Sequence, residues 1–153
     1  MKKFKNILLK ILLFLVNISW CLPQNIVGLV VWLYLKVTGR IKFVEFVDYP
    51  DGSTIKSYTW TIQSGSMSVG EFRFMYDYRA ESTYKTVLAH EYGHTLQSYL
   101  LGWLYLPVIA IPSILWCSWI SNWKCNIGKE YDTFYTEKWA TALGESYLYP
   151  KGE

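Results

Sequence analysis

No charged residue occurs between positions 11 and 35, and none between 103 and 123. Such long uncharged stretches do not read as the solvated surface of a soluble domain. Charged residues make up only 18% of the chain and hydrophobic ones 52%, a more apolar balance than ordinary soluble domains show. The net charge is only +3, and no basic run interleaves with aromatics, which excludes nucleic acid as a partner. Cysteine is scarce. Cys21, Cys117 and Cys125 are odd in number and lack CxxC spacing, which excludes a disulfide framework and a Cys-rich zinc site. Each lies in or beside an apolar stretch and reads as a buried thiol. A small-x-small cleavage site is also missing after the basic N-terminus. The candidate stretch, Ile18-Ser19-Trp20-Cys21, carries a bulky Trp, so this end reads as an uncleaved anchor. No internal repeat is visible, and 153 residues suit one domain.

What is present divides that domain into five segments. Residues 1–40 form a membrane anchor or helical hairpin, with Lys2, Lys3, Lys5 and Lys10 as a cytoplasmic flank. Leu22-Pro23-Gln24-Asn25 interrupts the apolar run. The result is either one kinked helix or two, about 4–20 and 24–38, and the balancing Lys36, Arg40 and Lys42 favour the hairpin. Residues 41–80 predict a small antiparallel sheet of three strands, with a turn at Tyr49-Pro50-Asp51-Gly52-Ser53. Period-two alternation marks Tyr58, Trp60 and Ile62, then Phe72, Phe74 and Tyr76. Residues 81–102 hold a helix over 83–101 with Ser82 as N-cap and Gly102 as its stop. Residues 103–123 are an apolar re-entrant segment, broken near Pro107 or Pro112. Residues 124–153 carry a last helix, Tyr131 to Leu143. The fold class expected is α+β: a mostly helical, membrane-associated domain with a small sheet beside the central helix.

That central helix carries His90-Glu91-Tyr92-Gly93-His94. Histidines at i and i+4 share one helical face, about one turn apart, and can bind one Zn²⁺ with positions left for a third ligand and water. Glu91 lies next to them, where it can serve as general base. At ordinary residue frequencies this HExxH pattern arises by chance in roughly one chain of this length in a few hundred. Gly93 has no side chain and lets another segment approach closely.

The chain has only two histidines, both in the motif, which excludes the HExxHxxGxxH pattern. The third ligand is then a carboxylate, as in His₂Glu sites. Glu130, Asp132, Glu137 and Glu145 are the downstream candidates. Glu137 is preferred, because the apolar-periodic run around it can turn it inward and Ala140 leaves room for helix contact. Glu130 and Asp132 read as a solvated loop, and Glu145 as a C-terminal tail. Tyr131 or Tyr135, close to Glu137, can stabilise an oxyanion.

With these residues the chain resembles the gluzincin metallopeptidases, HExxH enzymes whose third ligand is a Glu on a later helix. Glu137-Lys138-Trp139-Ala140-Thr141 is similar to the Glu-x-x-Ala-Asp element of membrane-bound gluzincins of the CAAX-prenyl-protease type, with Thr141 where those enzymes have Asp. The whole chain is also similar to a family of small bacterial membrane proteins with a Leu-Pro-Gln break, HEYGHxxQS and TExWA elements. Site-2 proteases are a weaker comparison, since the only Asp-Gly here, Asp51-Gly52, lies upstream in a turn.

Motif, uncharged stretches and resemblance together predict a membrane-embedded zinc peptidase, integral to a bacterial inner membrane, and the basic N-terminus puts its site toward the cytoplasm. Its partners would be the lipid bilayer and a protein or peptide substrate, the latter pairing with strand Phe72 to Tyr76. The alternative is a non-catalytic membrane protein with a structural zinc site. If Glu137 joins His90 and His94, the stretch 103–123 must enter and return, leaving Lys85, Lys124 and Lys138 on one side.

Overall fold

A computed structural model describes residues 11–12, 14–50, 52–61, 65–78, 80–118 and 133–149. The architecture is α+β, a four-stranded sheet held between helices on its two faces. Helix α1 (residues 11–12 and 14–18) gives way at a turn to α2 (Leu22–Val37). Pro23 sits in the first turn of α2, where its missing N–H would have no partner anyway, so it starts a helix rather than kinking one.

Strands β1 (Ile41–Asp48) and β2 (Thr54–Trp60) form an antiparallel hairpin across the expected turn, with Asp48 opposite Thr54. Strands β3 (Met67–Val69) and β4 (Phe72–Met75) form a second hairpin. The sheet order is β1-β2-β4-β3, and β2 pairs with β4 in parallel, Tyr58 beside Phe74. The expected three-stranded antiparallel sheet is therefore corrected to a four-stranded mixed one. Strand β3, only three residues long, leaves too short a period-two signature to be read from sequence.

The pleat sorts the side chains. Tyr58, Trp60, Phe72 and Phe74 pack with Leu35 of α2 on one face. Ile55 and Met75 pack on the other face against Tyr84, Leu88 and Ala89 of α3 (Glu81–Leu101) and Leu148 of α5 (Tyr135–Leu148). Helix α3 begins at Glu81 with Ala80 as an uncapped N-terminal residue, so Ser82 is not the cap. Glu81 bonds Lys85 at 2.8 Å and places an acidic group at the helix start. Gly102, with φ 54°, ends the helix as expected.

Beyond Gly102 the chain makes a 3₁₀ turn (Gly102–Leu104), a π-helical turn (Leu106–Ala110) and α4 (Ile111–Ser118). The bend of 118° falls between Leu104 and Leu106, next to Pro107 and not at Pro112. Among the described residues no single helix is long and apolar enough to cross a membrane; the bent pair around Tyr105 passes that test together. Helix α5 begins later and runs further than the expected Tyr131–Leu143, because Phe134 is still extended (φ −67°, ψ 142°) and Leu148 is buried against the α3 core. Tyr131 itself lies outside the described residues, as does Lys124.

Candidate metal centre

Helices α3 and α5 meet backbone to backbone. A Cβ on Gly93 would collide with the Ala140 carbonyl, and one on Gly144 with the Ala89 carbonyl. The segment that approaches Gly93 is thus α5, and the crossing sets Glu137 above the two histidines. His90 Nε2 lies 3.2 Å and His94 Nε2 3.3 Å from Glu137 Oε2. The three ligand atoms are mutually within 4.8 Å.

Those distances fit a metal. Two ligands at about 2.0–2.1 Å from a tetrahedral zinc stand about 3.3 Å apart. The hydrogen bonding says the same. Gln97 Oε1 faces His94 Nδ1 at 2.8 Å, so both ring nitrogens of His94 face acceptors. Such a ring must hold a second proton or a cation at Nε2. His90, His94 and Glu137 form a group that can hold a metal ion.

The charges respond accordingly. Burial works against ionisation of Glu137, but hydrogen bonds from His90 and His94, with Ser113, outweigh it and hold the carboxyl far below its usual range. Burial likewise disfavours charge on His94, but Glu137 and Glu91 overcome it and raise the imidazole above its ordinary value. For Glu91 the same burial dominates and pushes the carboxyl up, tempered by the two histidines. Glu91 is 5% exposed, and its Oε2 has no hydrogen-bond partner among the described residues.

A cavity of about 270 Å³ joins these groups, with Glu91, His90, His94 and Glu137 on one side and Tyr105 and Ser68 on others. A larger groove of about 670 Å³ between α3 and α5 is lined by Thr86, Ala89 and Glu145 and has no comparable donor set.

Of the other expected residues, Glu130, Asp132 and Tyr131 lie outside the described residues. Glu145 is in α5, not in a tail, and is exposed away from the histidines. Tyr135 is half exposed and its hydroxyl donates to the Val108 carbonyl at 2.6 Å, so it is committed elsewhere and does not line the cavity. Among the described residues Tyr105 is the tyrosine that does line it.

Four supporting side chains escaped sequence reasoning. Thr141 Oγ1 meets His90 Nδ1 at 2.8 Å, occupying with a hydroxyl the place where the gluzincin-like element has Asp. Gln97 faces His94, Ser113 donates to Glu137 Oε1 at 2.5 Å, and Thr136 donates to the same oxygen at 2.9 Å. Helical spacing could have found two of them: Gln97 is three residues after His94, and Thr141 four after Glu137. Nothing in the sequence announces Ser113, which reaches the site from α4.

No family model, curated protein or solved structure matches this chain.

Proposed function

We propose that the chain is a zinc-dependent peptidase of gluzincin type. The observation that carries this reading is a three-donor metal site sharing one cavity with the unpartnered Oε2 of Glu91. His90 Nε2, His94 Nε2 and Glu137 Oε2 would hold the ion, which when bound supplies Lewis acidity that acidifies water and polarises a carbonyl. Glu91 Oε2 accepts a proton as the water oxygen bonds to the carbonyl carbon, then passes it to the amine nitrogen as the C–N bond breaks. Tyr105 lines the cavity, but like Tyr135 its hydroxyl donates to a main-chain carbonyl, that of Ser68 at 3.5 Å, so neither phenol is assigned as an oxyanion donor.

An extended substrate needs a free strand edge. Strand β4 is flanked on both sides, so the earlier assignment to Phe72–Tyr76 gives way to β3, the edge strand whose residues line the cavity. Bilayer association rests on exposed apolar side chains such as Phe14, Leu15, Val30 and Leu33 on α1 and α2 and Ile111 and Ile114 on α4. The basic N-terminal flank orients the site toward the cytoplasm of a bacterial inner membrane.

One observation favours a structural zinc site instead: Glu137 is only 1% exposed. Glu91→Gln separates the readings. A peptidase variant keeps one zinc per chain and loses turnover on a peptide library. Unchanged turnover, or none in wild type, leaves the structural role standing.

A further inference from the structure

We infer that Gln97 is a positioning residue for the metal centre, fixing which nitrogen of His94 is free to bind the ion. This rests on the metal-site reading above. The argument runs from an atom whose role is not in question. The Thr136 carbonyl can only accept a hydrogen bond, and the Gln97 side chain approaches it at 2.8 Å. The atom there must be the amide nitrogen, Nε2, because two oxygens would repel. The amide oxygen therefore faces His94 Nδ1, 2.8 Å away, and Nδ1 must carry a hydrogen. The lone pair of a neutral His94 is then left at Nε2, the nitrogen 3.3 Å from Glu137 Oε2. A one-way relay from His94 through Gln97 to the Thr136 carbonyl sets the ring's tautomer and its angle.

The relay also ties two ligands together. Thr136 is the residue before Glu137, so Gln97 on α3 holds the start of α5 at the point that delivers the third ligand. Gln97 is fully buried, as is Thr136, so water does not compete for either bond. His90 lacks this constraint. Its Nδ1 meets the Thr141 hydroxyl, which can donate or accept, so Thr141 orients the ring without dictating its tautomer.

Two substitutions divide the roles of the amide. Gln97→Met removes both bonds at similar size. Gln97→Glu keeps an acceptor for His94 Nδ1 but loses the donor to Thr136. Zinc affinity is measured by competition with a chelator, with circular dichroism as the folding control. The expected result is a loss of roughly 10–100-fold in Gln97→Met and a smaller loss in Gln97→Glu, which keeps the His94 bond and gives up only the tie to Thr136. Wild-type affinity in Gln97→Met overturns the role. Equal losses in both variants also overturn it, since the amide would then serve only to dock α5. Nitrogen-15 spectra of zinc-loaded wild type provide a reading independent of variant folding. They should show His94 with a proton on Nδ1 and the metal on Nε2; metal on Nδ1 overturns the inference. A wild-type protein that binds no zinc removes the metal centre itself, a failure distinct from any affinity difference between variants.

Discussion

Helices α2 and α3 invert the usual relation between hydrophobicity and burial. Helix α2 is the more apolar, yet it leaves Ile26, Val27, Leu29, Val30 and Leu33 exposed. Helix α3 is far more polar, yet it buries Glu91, His94, Thr95, Gln97 and Ser98. In a water-soluble domain single exposed apolar residues are ordinary, but so many exposed large apolar side chains on α1, α2 and α4 are not. Burying a polar group without a partner costs a few kcal/mol, and a charge costs more. Helix α3 avoids that cost by pairing nearly every buried polar atom. The exceptions among the described side chains are Gln24 Oε1, Glu91 Oε2 and Trp116 Nε1, and Glu91 is the one beside the metal ligands. On the reading proposed above, the polar interior serves the metal centre and the exposed apolar side chains face an apolar neighbour.

The strongest way to break this comparison is to remove a donor from the polar interior. His94→Ala, or Glu137→Ala, should take zinc content from about one ion per chain to none by elemental analysis. Equal metal in wild type and variants would end the metal-centre reading. Next, Glu91→Gln should lower turnover by about 10²–10⁴-fold with zinc retained, the ordinary contribution of a general base. A variant that cleaves peptide as wild type does assigns the base elsewhere. Third, Gly93→Ala forces a Cβ against the Ala140 carbonyl, and a loss of about 1–3 kcal/mol is expected in a thermal melt. A neutral result would show that the α3–α5 crossing relaxes freely. The smallest effect belongs to the apolar exterior. Val30→Ser should change the melt in detergent by no more than about 0.5 kcal/mol, because the site is exposed and holds no contact in the core. The same substitution combined with Leu33→Ser should weaken partition into vesicles in a flotation assay, and unchanged partition would place the membrane contact elsewhere.

Much of the polar side was legible because it is written at helical spacing. His90 and His94 stand one turn apart, and Glu137 precedes Ala140 in an apolar-periodic run, so local pattern carried the donors. The sheet was less legible. The pairing of Tyr58 with Phe74 joins strands distant in sequence and parallel, and no local period encodes direction. Tyr135 misled because proximity in sequence to Glu137 says nothing of where a phenol two residues earlier on the helix points; its hydroxyl reaches Val108. The start of α3 at Glu81, with Ala80 before it, was missed because the usual capping side chains take no part in it.

The reciprocal seating of Gly93 on Ala140 and Gly144 on Ala89 has a consequence for ion choice. With main chain against main chain at two points, the span between the histidines and Glu137 is set by a rigid gauge rather than by adjustable side chains. The donor edges of 3.2 and 3.3 Å match bonds near 2.0 Å. A cation such as calcium, with bonds of about 2.3–2.6 Å and a need for six or more oxygens, would have to prise the two helices apart. Under the zinc reading proposed above, the glycines set the size of ion the site accepts, well away from any atom that would touch it.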